Sequence, residues 1–341
     1  MKNLFGLTLF ELQSEMQSIG QKKFRAAQIA AWMYRRGVRD FELMSDLSKE
    51  LRETLAENYE VRAARLITRL DSPLTSKFLL ELNSARVECV LMRHDYGNSV
   101  CISSQAGCAM GCAFCASTLN GLDRNLTAAE MLAQVLFIND ALRAETQKVD
   151  SIVVMGMGEP LQNFDNLIAF FEMIHAPYTL GMSYRKITVS TCGIVPNIAR
   201  LAELNLPITL SISLHAPTNE LRSELMPINR TFDIKKVVDA GRYYGERTGR
   251  RVTYEYILID GVNDSPEQAR QLATLLREQL ANVNLIPINP VSERNFKRPT
   301  TRAIKTFVEV LDSRGIGSTV RKEFGADINA ACGQLRNKKI D

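Results

Sequence analysis

The chain has 341 residues, 45% hydrophobic and 23% charged, with a net charge of +4. That length suits a core of roughly 200–250 residues plus an accessory domain, and so small a net charge does not by itself argue for nucleic acid. With no run of 18 apolar residues, no signal-peptide pattern in Met-Lys-Asn-Leu-Phe-Gly and seven cysteines, the expectation is a cytoplasmic protein without a membrane span, using thiols for metal or catalysis.

Residues 1 to about 70 read as helical, with Phe24, Ile29, Trp32 and Met33 at helical spacing and a second stripe at Leu47, Leu51 and Leu55. Ser48 is a plausible helix start, and a small hydrophobic interior is the default use for the aromatics. Over 77–103 the period changes, and Phe78–Leu82, an Asn83-Ser84 turn and Val87–Met92 suggest a hairpin. From Val100 strands alternate with helices. Strand candidates are Val100–Ser103, Ser151–Met155, Lys186–Ser190, Ile208–Leu214, Val252–Ile259, Val283–Ile288 and Gly317–Arg321. Helices are expected at Ala128–Arg143, Asn166–His175, Ile194–Leu204, Ile234–Thr248, Pro266–Leu280 and Thr301–Arg314. This alternation implies a parallel α/β sheet, a partial barrel of about six repeats. The expected division is a helical accessory domain at 1–75, a β-hairpin extension at 76–100, a barrel at 101–323 and a tail at 324–341.

Two basic clusters stand out, Arg294, Lys297, Arg298, Arg302 and Lys305, and Lys22, Lys23, Arg25, Arg35, Arg36 and Arg39. Phosphates would need such cations, but a solvated helix face reads the same way.

In a parallel barrel, ligands gather at the C-terminal strand ends. After the first barrel strand comes Cys108-Ala-Met-Gly-Cys112-Ala-Phe-Cys115. Three thiolates can hold a [4Fe–4S] cluster and leave one iron open to a small molecule. Cys-x3-Cys-x2-Cys is the signature of radical S-adenosylmethionine (SAM) enzymes, whose open iron is chelated by SAM. The competing reading is a zinc site closed by a fourth ligand, yet no second ligand doublet occurs. After the second strand come Gly156, Gly158 and Glu159; the glycines allow close backbone approach to a ligand, and Glu159 suits the ammonium group of SAM. Ser190 with Cys192, Ser213-Leu214-His215 and Asn289 follow later strands and can hold ribose, adenine or carboxylate. Each could equally be a polar strand cap.

Taken together, these motifs resemble the RlmN-type dual-specificity RNA methyltransferases, relatives of the Cfr resistance methyltransferases. The likeness covers essentially the whole chain: Arg86-Val-Glu88, Cys101-Ile-Ser-Ser-Gln, the cysteine triplet, Met155-Gly-Met-Gly-Glu-Pro, Ser213-Leu-His-Ala, Met226-Pro-Ile-Asn and Asp327-Ile-Asn-Ala-Ala-Cys-Gly-Gln-Leu. It implies a radical-SAM partial (β/α)6 barrel with a [4Fe–4S] cluster at Cys108, Cys112 and Cys115. SAM contacts carry over to Gly158, Glu159, Ser190, Ser213, Leu214, His215 and Asn289. It also implies methylation of carbon 2 of an adenine in 23S rRNA (adenine 2503) and of adenine 37 in tRNAs. Two SAM molecules would be used per turnover, one methylating Cys332 and one supplying the radical. By the same resemblance, Glu88 takes the ring proton and Cys101 attacks Cys332, releasing product through a transient disulfide. A reductant such as flavodoxin or ferredoxin and a monomeric state are further expectations. Both RNA bases are unpaired or in loops, where their edges can be reached. The N-terminal helices and the Arg294–Lys305 stretch are candidate RNA-gripping surfaces.

Where relatives often carry threonine and serine, this chain has Cys89 and Cys192, which read as structural. A Cfr-type enzyme acting on carbon 8 is the nearest alternative: Gly158-Glu159-Pro160 and the Arg-rich N-terminal helix favour carbon 2, while Phe324 mildly favours the other. A non-catalytic iron–sulfur RNA-binding protein is a third reading, and it leaves Cys101 and Cys332 without a role.

Overall fold

The computed structural model describes residues 1–336; the last five residues of the expected C-terminal tail lie outside the described residues. The chain opens with helices α1 (Leu9–Ser18), α2 (Phe24–Ala30) and α3 (Lys49–Asn58). Thr8 caps α1 in a reciprocal capping box with Glu11, and Ser48 caps α3 by accepting from the Leu51 amide, as its position suggested. Ile29, Met33, Leu47, Leu51 and Leu55 are buried, as the stripes predicted. The aromatics depart from that expectation. Phe24 is 53% exposed, with the Arg25 guanidinium over its ring, and Trp32 is half-buried beneath Arg36, 3.9 Å from the ring centroid. A turn of π-helix at Ala31–Arg35 continues α2; its extra residue per turn shifts the helical face.

The helical region ends at Asn58, not near residue 70. Beyond it run β1 (Arg65–Ser72), β2 (Thr75–Leu82), β3 (Ala85–His94) and β4 (Gly97–Ile102), each antiparallel to the next. The expected hairpin is therefore the middle of a four-strand meander. β1 escaped the sequence reading because it is a largely exposed edge strand and lacks a buried apolar row.

The parallel strands follow β4: β5 (Ser151–Val154), β6 (Ile187–Thr191), β7 (Thr209–Ser213), β8 (Val252–Leu258), β9 (Ala281–Pro287) and β10 (Ser318–Val320). All ten strands form one sheet in strict sequence order. Crossover helices α4 (Ala128–Arg143), α5 (Phe164–His175), α6 (Val195–Glu203), α7 (Asn219–Leu225) with α8 (Ile234–Thr248), α9 (Pro266–Leu275) and α10 (Thr301–Ser313) fill the six connections. Seven parallel strands with six crossovers make the partial (β/α)6 barrel that the alternation implied. Because β4 pairs antiparallel to β3 and parallel to β5, the expected 100/101 boundary falls inside one strand.

Strand alternation sorts the two faces. Val189, Leu210, Ile212, Tyr254, Tyr256 and Leu285 belong to the main core, where full burial of such a side chain contributes about 1.5–3 kcal/mol. The intervening residues Ser190, Ser213, Glu255 and Ile286 line a cavity instead. No helix among the described residues is long and apolar enough to cross a membrane.

Candidate active site at the strand ends

A short antiparallel ribbon, Gln105–Gly107 against Leu122–Asn125, clasps the cysteine loop at both ends. Gly107 sits at φ +76°, and a Cβ there would lie 2.0 Å from the Gly121 carbonyl oxygen, so the ribbon closes only on glycine. Cys108, Cys112 and Cys115 line one cavity together with Gly158, Glu159, Ser190, Ser213 and His215, as their strand-end positions suggested. Burial pushes the Cys108 thiol up to about 11 and raises Cys112 and Cys115 as well. Such thiols become thiolates only when a metal takes the proton's place.

Among the described residues, no three His, Cys, Asp or Glu side chains converge on a single ion. Three buried thiols on one cavity wall are the donor set that a [4Fe–4S] cluster with one open iron calls for, and the residues present fit it.

Glu159 is buried, and its carboxylate accepts from Thr191 Oγ1 (2.8 Å) and the Leu161 amide (2.9 Å) at Oε1 and from the Cys192 amide (2.7 Å) at Oε2, with the Cys192 thiol a further partner. Burial raises its pKa and these donors oppose the shift. Gly158, at φ +100°, has no room for a Cβ, which would meet Gln105 at 2.5 Å.

Ser190 and Ser213 face each other across adjacent strands, Oγ to Oγ 3.4 Å. His215 has a left-handed backbone, φ +60°, rare for a side-chain-bearing residue. Its Nδ1 accepts from the Ile257 amide at 3.0 Å, so the neutral ring carries its proton on Nε2. Burial, reinforced by Arg222, lowers its pKa to about 3. Leu214 departs from the expectation: it lies in the core rather than on a cavity wall, with its amide bonded to the Glu255 carbonyl and its carbonyl to Arg222 Nε. Asn289 lines the neighbouring cavity, where Nδ2 donates to the Cys332 carbonyl (3.2 Å); its Oδ1 is buried without a partner among the described residues.

Cys332 stands between two cavities. One contains the cysteine triplet, and the other is lined by Cys101, Arg321, Lys322 and Phe324. Burial pushes the Cys101 thiol up to about 12, with Cys332 the next cause and Arg321 opposing. Arg321, whose pKa is raised chiefly by its proximity to Cys332, also lies 3.8 Å from Glu255. It follows the last strand and is a strand-end residue the sequence reading overlooked.

Glu88 is apart from the thiols, in a third cavity. It is not an exposed strand residue. Lys77 Nζ pairs with Oε1 at 3.1 Å, both side chains being 10% exposed, and the Arg336 amide donates to Oε2 at 2.8 Å. Of the two unassigned cysteines, Cys89 is wholly in the core, as expected. Cys192 lines the same cavity as the triplet, and its amide donates to Glu159.

Residues 2–61 match the Ribosomal RNA large subunit methyltransferase N-terminal domain, and residues 102–273 match the Radical SAM superfamily. The chain is 50% identical over 337 residues to the probable dual-specificity RNA methyltransferase RlmN of Symbiobacterium thermophilum, covering 98% of this chain and 91% of that protein. It is 48% identical to the corresponding protein of Clostridium perfringens, covering 100% of this chain and 98% of that protein. This chain belongs to the RlmN family of radical SAM RNA methyltransferases. The crystal structure of a radical SAM methyltransferase from Sphaerobacter thermophilus superposes with a TM-score of 0.95 at 43% identity, covering 99% of this chain and all of that one. Membership implies a [4Fe–4S] cluster and SAM, and the triplet cavity offers the donors for both.

Proposed function

We propose that this enzyme places a methyl group on carbon 2 of an adenine in 23S rRNA and in tRNA, carrying the methyl on Cys332. The observation that supports this reading is the position of Cys332, which lines both the cluster cavity and the cavity containing Cys101. A carrier must face the source of its methyl chemistry, the substrate and the thiol that resolves it, and few positions satisfy all three. SAM at the cluster supplies the one-electron chemistry that an electron-poor ring carbon requires.

The chain's own residues do the rest. Glu159 and the Gly158 backbone hold the amino-acid end of SAM, while Ser190, Ser213 and the Nε2–H of His215 hold its ribose and adenine. Cys332 sulfur takes up the methyl group of one SAM, which leaves as S-adenosylhomocysteine. The radical that a second SAM at the cluster would supply would take one hydrogen atom from this S-methyl, and its carbon would then bond to carbon 2 of the ring, which gives up one electron to the cluster as it loses its proton. Glu88 takes the proton from carbon 2. Cys101 sulfur then attacks Cys332 sulfur: the S–S bond forms as the S–C bond breaks, and the electron pair left on carbon takes a proton. The disulfide is reduced for the next turnover.

Carbon 2 rather than carbon 8 is favoured by Gly158-Glu159-Pro160 and by the RlmN names of the relatives. The test incubates reduced, reconstituted enzyme with SAM and unmodified 23S rRNA fragment or tRNA, then identifies the digested nucleosides by mass spectrometry. 2-Methyladenosine is the expected product. 8-Methyladenosine would assign Cfr-type chemistry, and no modified base with an intact cluster would leave an RNA-binding protein.

A further inference from the structure

The turn between β3 and β4 ends in an exposed aromatic row that the proposed mechanism does not use. Tyr96 is 82% exposed, and one face of its ring stacks on His94, centroids 4.6 Å apart and planes 11° off parallel. His94 in turn packs edge-on against Phe324 at 4.6 Å, and Lys322 Nζ lies 5.5 Å from the Phe324 centroid. Phe324, Lys322 and Arg298 line the same cavity as Cys101 and Cys332. The row therefore runs from the wall of the methyl-carrier cavity out to solvent. Burial and the nearby Lys322 lower the His94 pKa, so at neutral pH its ring is an uncharged stacking partner.

A tyrosine this exposed contributes little to a core, and a turn needs no aromatic. Rings with a free face beside cations match an unpaired RNA nucleotide, whose base stacks while its phosphate meets a positive charge. Charge at the mouth is mixed: Arg298 pairs with Glu323, Arg321 lies 3.8 Å from Glu255 and Asp95 is on the turn itself, while Lys322 stands over the Phe324 ring.

We propose that His94, Tyr96 and Phe324 form a stacking platform for the unpaired RNA base next to the target adenine, with Lys322 meeting the adjoining phosphate. This inference rests on the RNA-methylating reading of the same cavity and names the surface that presents the substrate to it. A flanking base held on the platform would leave the adenine directed toward Cys332.

The test uses the reconstituted holoenzyme and an RNA stem-loop containing the target adenine, with 2-aminopurine at either neighbouring nucleotide. Wild type and Tyr96→Phe are expected to quench the fluorescence of one of the two probes. Tyr96→Ala is expected to lose that quench and weaken binding roughly 5- to 150-fold, the loss of one base–aromatic stack. Methyl loading of Cys332 from SAM without RNA should be unchanged in Tyr96→Ala, which shows the fold and cluster intact. Unaltered affinity and quench in Tyr96→Ala overturn the platform while leaving the methylation reading to its own product assay. Equal loss in Tyr96→Phe would also overturn it, by assigning the contact to the hydroxyl.

Discussion

Replacing Arg222 by lysine should destabilise the enzyme severely although the charge is kept. The Arg222 side chain is wholly buried and donates five hydrogen bonds. Nη2 reaches the carbonyls of Cys192 (2.7 Å) and Ser213 (3.3 Å), Nη1 reaches Asn229 Oδ1 (3.0 Å) and the Phe232 carbonyl (3.2 Å), and Nε reaches the Leu214 carbonyl (3.2 Å). No carboxylate is among these partners. Burial lowers its pKa to about 10, so the guanidinium remains charged at neutral pH. Cys192 and Cys112 are the groups that most favour that charge, and a cluster on three thiolates is an anion that becomes more negative on reduction. Arg222 is thus placed to serve as its countercharge while tying together the ends of two strands. A lysine has three donors for five acceptors, so at least two acceptors are stranded in the core. At about 1–3 kcal/mol each, the loss is about 2–6 kcal/mol, a large share of a typical total of about 5–15 kcal/mol. Anaerobic urea denaturation of the holoenzyme measures it. A loss below about 1 kcal/mol would refute this account of the arginine.

Lys77→Met breaks a desolvated ion pair, and the unpaired Glu88 carboxylate should cost about 3–5 kcal/mol of stability in the same denaturation assay; an unaffected midpoint would mean that the pair is better solvated than its burial indicates. Cys101→Ala should accumulate an enzyme–RNA conjugate joined through Cys332, seen by mass spectrometry of the intact complex; wild-type release of methylated RNA would remove Cys101 from the mechanism. His215 binds a proton more weakly folded, near 3, than at its ordinary 6.5. Its contribution is therefore complete above pH 6.5 and declines as pH falls toward 3, by about 2 kcal/mol between pH 6.5 and 5. Urea midpoints across that window should show this acid slope, and His215→Gln should flatten it.

The parallel strands were legible because each carries a short, β-branched run bounded by polar residues, and Val252–Leu258 differs by one residue from its expected span. β1 was illegible since its pairing, not its own composition, makes it a strand. The strand-end rule found Glu159, Ser190, Ser213 and His215, and applied to the last strand it would also have found Arg321. Lys77 had a signal too. The Asn83-Ser84 turn pairs Leu82 with Ala85 and hence Leu79 with Glu88, which makes Lys77 a diagonal neighbour of Glu88 on one sheet face. Arg222 had none: in Asn-Glu-Leu-Arg-Ser-Glu-Leu it reads as a solvated helix cation, and only the tertiary meeting of several carbonyl groups reveals its use.

Three cavities meet along the segment from Asn329 to Arg336, which explains how separated groups can act on one base. The segment is held through its backbone: Lys77 Nζ to the Asn329 carbonyl (3.1 Å), Asn289 to the Cys332 carbonyl (3.2 Å), the Ala116 amide to the Gly333 carbonyl (2.7 Å), Ser117 to the Leu335 carbonyl (2.7 Å) and Arg336 N–H to Glu88 (2.8 Å). A typical such bond is worth about 1 kcal/mol net, so each can be exchanged for a substrate contact singly. Two of them involve the Lys77–Glu88 pair, one from each partner. The proposed proton acceptor Glu88 is thereby tied through the Arg336 amide to the segment carrying Cys332, so a shift of that segment is felt at both groups. Lys77→Met also removes the Asn329 contact, and in that variant hydrogen exchange over residues 330–336 should quicken. Unchanged exchange there would separate the segment from the ion pair and break this linkage.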